Sequence, residues 1–343
     1  MVPGRIETRT GGYEYDRRMV AGLRALGWSA GIREIGGEFL CPSAGALTAA
    51  AGVLAALPDG ALVVIDGLAL GSMPEQIERE SNRLRIVALV HLPLASEIGL
   101  DAATAAGVRD RERRALRASA LVVVTGQSTI AVVEEYGIQR SRIVLIEPGT
   151  DAAPIARGSG EGPLQLLCVA TLNRGKGHAM LFRALAGVAV DWRLTCAGSL
   201  TRDPETVRQL RRQLRSDRLD DRVTLTGEAD AGALAAFYDA ADLFVLATLH
   251  ESYGMAVAEA LAHGLPVIST RTGVIADLIG GDAGILVEPG DEEALAAALR
   301  GVMTDAGLRG RLAEGARRAR TRLPGWADAA SRMSAALTAL SGP

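Results

Sequence analysis

The sequence predicts an α/β protein built from two doubly wound domains, each a parallel sheet covered by helices. Three observations predict it. Short apolar runs with little alternation recur along nearly the whole chain, as expected of strands buried on both faces. Longer helical patterns separate those runs, which gives repeated strand-then-helix units. Finally, 343 residues exceed one ordinary core, so two domains are expected.

In the first half, strands are expected at 61–66 (ALVVID), 85–91 (RIVALVH), 120–125 (ALVVVT) and 142–146 (RIVLI). In the second half they are expected at 164–171 (LQLLCVAT), 193–197 (RLTCA), 222–226 (RVTLT), 242–247 (DLFVLA), 265–270 (LPVIST) and 284–287 (GILV). The stretch 148–163 is rich in Gly, Pro and Ser and reads as the linker. The expected organisation is a first domain over 1–150, a linker over 151–163 and a second domain over 164–324. A helical stretch over 325–343 follows Leu323-Pro324 and is free to pack back on the first domain. The N-terminus departs from this scheme. A doubly wound domain opens with an apolar strand, yet only Met1-Val2 precede Pro3-Gly4. The first strand is expected to be vestigial or missing, with a chain that starts inside the natural one as the favoured explanation.

Composition excludes several classes. The chain is 48% hydrophobic and 22% charged, as in a soluble globular protein. A formal net charge of -3 gives no global attraction to nucleic acid. No apolar run is long enough to cross a membrane, no signal peptide is visible, and a reducing cytoplasmic setting follows. Cys41, Cys168 and Cys196 show no C-x-x-C spacing; Cys168 and Cys196 lie in apolar runs and read as buried thiols. Four histidines without paired ligand spacing predict no metal. The basic run 109–117 (RDRERRALR) reads as a solvated helix face with i,i+4 partners, or as a peripheral membrane contact.

The chemistry-bearing candidates lie at strand ends. Gly11 and Gly12 precede a helix expected over 14–26, and paired glycines let amides approach an anion, although a plain turn has the same signature. Asn173-Arg174-Gly175-Lys176-Gly177 follows a strand and opens a helix at about His178, a pattern that suits a phosphate but is not a Walker A loop. Gly126-Gln127-Ser128-Thr129 lacks the second glycine of a nucleophile elbow, so Ser128 and Thr129 read as helix caps. His91 ends a strand where α/β folds bind ligands; His178 and His250 are weaker candidates. His263 lies in a last helical turn, where a cation suits the dipole. The stretch 250–264 (HESYGMAVAEALAHG) follows a buried strand. Its Ser252-Tyr253-Gly254 turn opens a helix whose free amides face the strand-end crevice. Glu251 and Glu259 flank that turn, and eight residues at helical rise are about 12 Å. Two carboxylates at that separation suit hydroxyls at opposite ends of a nucleotide-sugar.

These residues together resemble a known family. Residues 251–259 (ESYGMAVAE) resemble the E-x7-E motif of retaining glycosyltransferases of family 4, with the GT-B fold. The segments TGGYEYDRRM, HLPLASEIGL, VATLNRGKGH, ADLFVLATLHESYGMAVAEALAHGLPV and GILVEPGDEEAL extend the resemblance over most of the chain. It implies two Rossmann-like domains facing a central cleft. The second would bind a nucleoside diphosphate-sugar, UDP- or GDP-linked, and the first a hydroxyl acceptor, lipid-linked or saccharide among the open choices. It further implies that Glu251 holds the transferred sugar, that Glu259 holds the ribose and that Lys176 neutralises the diphosphate. Amides of Ser252, Tyr253, Gly254, Met255 and Ala256 would hold the diphosphate and sugar. Gly11 and Gly12 would close over it, His91 would lie near the sugar, and Glu228 and Ala229 near the base. No cofactor or metal is implied.

One departure stands out. The family places an arginine directly before the lysine, where this chain has Gly175, and often another where it has Thr171. Arg174 sits one position off and is a candidate replacement. The expected activity is transfer of a sugar with retention. A binding protein without turnover is the alternative from another class, and an epimerase or a phosphorylase are the alternatives among enzymes.

Overall fold

The computed structural model describes residues 1–36, 39–96 and 99–341. Glu97 and Ile98 of the HLPLASEIGL segment lie outside the described residues, as do the last two residues of the final helical stretch. The chain forms two compact units, one of Met1–Gly149 with Pro324–Pro343 and one of Thr150–Leu323. Every expected strand is present, with ends that differ by at most two residues, the usual range for strand termini.

In the first unit the strands are β1 (Val2–Pro3), β2 (Glu34–Ile35), β3 (Leu62–Asp66), β4 (Arg85–Val90), β5 (Leu121–Val124) and β6 (Ile143–Leu145). β3 to β6 pair in sequence order, all parallel. The expected gap at the first strand is filled by a short remnant. β1 pairs in parallel with β2, and Met1 exchanges backbone bonds with Val64 and Asp66 of β3. Two residues suffice because their partners on both sides satisfy the backbone groups. β2 was not foreseen; two residues carry no periodicity.

The first helix runs Gly11–Ala25, not from residue 14. Thr10 caps it, so Gly11 and Gly12 form its first turn instead of a loop before it. Tyr15, Met19 and Leu23 of this helix pack with Ala329, Ala330, Met333 and Leu337 of the Trp326–Ser341 helix. Trp28 Nε1 adds a 2.9 Å bond to Ser334 Oγ. The C-terminal helix is thereby part of the first unit's core.

The second unit holds β7 (Leu164–Val169), β8 (Trp192–Ala197), β9 (Val223–Gly227), β10 (Leu243–Leu246), β11 (Val267–Thr270) and β12 (Gly284–Val287). The six-stranded parallel order is β12-β11-β10-β7-β8-β9. Strand order reverses between β7 and β10, so loops after these neighbours diverge and leave a crevice at their carboxyl ends. The segment read as a linker is tied to this unit: Ala156 N–H donates to the His263 carbonyl, and those of Arg157 and Gly158 to the Asp239 carbonyl. Among the described residues, no helix is long and apolar enough to cross a membrane.

Candidate functional site

The crevice of the second unit is built by backbone. After β7 the chain turns through a short 3-10 segment, Arg174–Lys176, capped by Asn173 Oδ1. Gly177 then takes φ +68°, and a Cβ there would overlap the Ala247 carbonyl at the end of β10. Only glycine meets both conditions. The turn is further pinned when Leu249 N–H donates to the Gly175 carbonyl at 2.7 Å. After β10, Gly254 takes φ +90° and starts the Met255–Ala262 helix. Gly273 lies against the Glu251 and Ser252 carbonyls, where any side chain would overlap them.

This scaffold brings Lys176 and Glu251 together. Lys176 Nζ lies 2.6 Å from Glu251 Oε2, with the side chains 24% and 18% exposed. An ion pair this sheltered is screened less than a surface pair. Beside it, the Met255 and Ala256 amides at the start of the Met255–Ala262 helix have no intrahelical acceptor, whereas those of Val257 and Ala258 donate to the Gly254 carbonyl. A cation, a carboxylate and free amides at adjacent strand ends can hold an anion and a hydroxyl side by side.

Glu259 sits on the same helix, half-buried, and accepts a 2.9 Å bond from Tyr238 Oη. Burial first, then Glu259, raises the Tyr238 phenol well above its ordinary range, so it remains a donor. Tyr238 stacks on His263 at 4.8 Å and on Phe244 at 6.2 Å, which fixes its ring. Sequence reasoning passed over Tyr238. Its one signal is a tyrosine in the Ala231–Ala240 helix that precedes β10.

The other candidates divide. Ser252 is partly buried, whereas the Tyr253 side chain is buried against Ala258 and Val274, so that residue can offer a ligand only its backbone. Glu228 is exposed and Ala229 partly exposed, just beyond β9. Arg174 is exposed, and its backbone N–H and charge act on Asp203; the ion pair to Glu251 belongs to Lys176. His178 is buried against Cys168 Sγ, 3.6 Å away, with Cys196 alongside. His250 is exposed. His263 departs from the expected cation: burial, the largest influence, lowers its pKa. Ser128 and Thr129 are not caps, because Gly126 is the N-cap residue and makes no side-chain bond. In the basic run, Arg114 pairs across helices with Glu75 and Glu78, not along its own helix. A separate depression lined by Ser159–Leu164, Asp191 and Asp242 opens at the amino ends of β7, β8 and β10, away from this chemistry.

The first unit has its own cluster. His91 follows β4, and its Nε2 lies 3.1 Å from Asp16 Oδ1 and 3.6 Å from Asp66 Oδ2. Gly12 is one helical turn before Asp16, and a Cβ on it would meet His91 Cδ2 at 3.2 Å. Burial lowers the His91 pKa, but the Asp16 bond and both carboxylate charges outweigh it, and the net shift is upward. Asp66 is pushed up to about 6, chiefly by burial. Glu112 was also missed. It is 1% exposed within the basic run, accepts the Leu94 N–H and the Tyr136 hydroxyl, and is pushed up to about 7 by burial.

Residues 163–305 match the family model described as Glycosyl transferases group 1. D-inositol 3-phosphate glycosyltransferase of Xylanimonas cellulosilytica is 31% identical over 62% of this chain and 55% of its own length. Mannosylfructose-phosphate synthase of Agrobacterium fabrum is 31% identical over 59% of this chain and 49% of its own. The chain thus spans about half the length of the curated relatives it matches. Among solved structures, sucrose-phosphate synthase from Thermosynechococcus elongatus superposes with TM-score 0.83 at 21% identity, over 99% of this chain and 98% of that one. Anabaena Alr3699/HepE in complex with UDP and glucose superposes with TM-score 0.77 at 15% identity, over 98% of both chains.

Proposed function

We propose that this chain, a member of glycosyl transferases group 1 with the GT-B fold, moves a sugar from a nucleoside diphosphate-sugar to a hydroxyl acceptor with retention at the anomeric carbon. The observation that carries the proposal is the Lys176–Glu251 pair at the ends of β7 and β10, beside free helix amides. UDP and UDP-glucose, held by the structures of Anabaena Alr3699/HepE, are the first donors to test.

In this reading the second unit binds the donor and the first unit the acceptor. Lys176 and the amides of 252–256 stabilise negative charge on the departing diphosphate, which is the electrostatic part of the catalysis. Glu251 accepts hydroxyls of the transferred sugar and Glu259 those of the ribose, with Glu228 and Ala229 near the base. Arg174 has the reach to add charge at the diphosphate. The bond from the anomeric carbon to the diphosphate breaks, the acceptor oxygen takes its place, and the acceptor proton passes to a leaving phosphate oxygen. No protein nucleophile or metal is required by this route. The reaction is placed in the cytoplasm.

The test is donor consumption by the purified protein with mixed saccharide and lipid-linked acceptors, with and without EDTA. Lys176→Ala should lower kcat by roughly 10²–10³-fold, the range for loss of one charge-stabilising group, and Glu251→Ala should abolish sugar selectivity. Tight donor binding with no turnover for any acceptor would instead make the chain a binding protein. Gly175 at the position where the family has arginine, with the Glu251 ion pair made by Lys176, favours that second reading.

A further inference from the structure

Nothing in the proposed reaction accounts for the two carboxylates behind His91. Asp16 is 5% exposed and comes from the Gly11–Ala25 helix; Asp66 is 8% exposed and ends β3. Buried carboxylates are unfavourable unless paired. Asp66 is satisfied by the Leu68 N–H at 2.8 Å. Asp16 spends one oxygen on His91, and its other oxygen, Oδ2, is buried without a hydrogen-bond partner among the described residues. Its direct ion-pair contact among the described residues is the histidine it faces.

The local sequence makes room for this contact. Gly12 and Asp16 are four residues apart, so they share one face of the helix. The absent side chain at Gly12 lets the His91 ring lie across the helix, and Asp16 receives its Nε2 one turn later. Tyr15 meets the ring edge-on at 5.3 Å, and Thr125 Oγ1 donates to the His91 carbonyl. The ring is therefore held by the Gly11–Ala25 helix, and its backbone by Thr125. Among the described residues none bonds Nδ1, and the side chain remains 22% exposed. The α-amino group of Met1 also acts on both Asp16 and Asp66, and Arg33 acts on it in turn.

We propose that Asp16 is a positioning residue that holds His91 as a protonated imidazolium and turns its Nδ1–H outward as a charged donor, with Asp66 as second counter-charge and Gly12 as the clearance for the ring. This rests on the reading above, in which the first unit takes the hydroxyl acceptor. A cationic donor aimed outward suits a hydroxyl or an anionic oxygen of that acceptor. Gly12, expected to serve the donor by its backbone, thereby has a task inside its own unit.

The sign of the pH effect follows. Asp16 and Asp66 raise the folded-state His91 pKa, so the charged form and its contribution are complete at low pH. They are lost as pH rises through the folded value. Removing the Asp16 charge should bring that loss to lower pH.

The experiment has two arms. Ring-proton NMR titration of the full chain follows His91, assigned by its absence in His91→Gln. Asp16→Asn should lower the His91 pKa by about one unit or more, and Asp66→Asn should lower it less. In the second arm, Asp16→Asn should reduce kcat at pH 8 by several-fold, up to about ten-fold for each pKa unit lost, and far less at pH 6, with donor KM within three-fold. An unchanged His91 pKa, or an activity loss equal at both pH values, would reduce Asp16 to packing and overturn the proposal. So would a divalent ion that shifts the His91 signals at micromolar concentration, since the same three side chains would then be ligands. If the wild type turns over no donor, the transferase reading fails while the titration still decides the charge state. Thermal melts of both variants check folding, and Asp66→Asn supplies a folded comparison if Asp16→Asn melts early.

Discussion

The crevice of the second unit and the His91 cluster of the first are built in opposite ways. Around Lys176 and Glu251, position is set by backbone: Gly177, Gly254 and Gly273 occupy conformations or clearances that a side chain would block. Around His91, position is set by buried side chains from three segments, with one glycine giving room. A backbone-built site is sensitive above all to a side chain added at its glycines. A site built from buried acids and a histidine is sensitive to pH and to single polar substitutions. The same molecule would then combine a fixed anion site with a titratable donor.

The comparison breaks most sharply at the glycines. Gly177→Ala faces both a positive φ and the fixed carbonyl of Ala247. It should destabilise the second unit by about 2–4 kcal/mol, from the left-handed penalty plus overpacking, and greatly lower activity. Gly12→Ala faces only the edge of a side chain at 3.2 Å. It should melt close to wild type while it disturbs the His91 titration. Thermal melts of the two variants decide the matter; equal losses would mean that the first unit is as backbone-bound as the second.

The same contrast explains what the sequence revealed. Lys176, Glu251 and Glu259 were legible because their loops follow buried strands and carry glycines at close spacing. The strands themselves were legible from uninterrupted apolar runs such as VVID and LVVV. Asp16 was not, because its partner His91 is 75 residues away and a lone acid on a helix reads as surface. Glu112 was hidden for a related reason. It stands in a run of arginines, and only the helix's packing reveals that, of the charged residues in that run, it is the buried one. The first strand, expected to be vestigial or missing, is a two-residue remnant; the sequence left the two choices open because two residues have no period and the pairing depends on neighbours far along the chain.

A smaller effect sharpens the pH side. Glu112 has a folded pKa pushed up to about 7 by burial. A raised carboxyl pKa means its neutral form suits the fold. Its contribution is complete below the ordinary carboxyl range and is lost as pH rises towards 7. Glu112→Gln mimics the neutral form and can still accept the Leu94 N–H. It should therefore stabilise the protein by roughly 1–3 kcal/mol at pH 8, given about 1.4 kcal/mol per pKa unit, and almost not at all at pH 4. Denaturant melts at the two pH values check this. A stabilisation independent of pH would show that charge is not the cause.

The smallest expected effect tests whether the backbone-built crevice also depends on a side-chain brace. Tyr238 donates to Glu259, and its ring is fixed between His263 and Phe244. Tyr238→Phe keeps the stacking and removes one hydrogen bond to a carboxylate, an interaction worth about 1.5–3 kcal/mol at full strength and less where other donors share the load. Global stability should fall by about 1 kcal/mol or less. The informative reading is calorimetry with UDP, set beside Glu259→Ala. If Glu259 holds the ribose and Tyr238 orients it, both variants should weaken binding, Tyr238→Phe by about 3- to 10-fold and Glu259→Ala by more. Loss in Glu259→Ala alone would leave the carboxylate positioned by its helix, and the second unit would be a wholly backbone-built site. Loss in neither would remove Glu259 from the ribose and move the donor's nucleoside end elsewhere on the second unit.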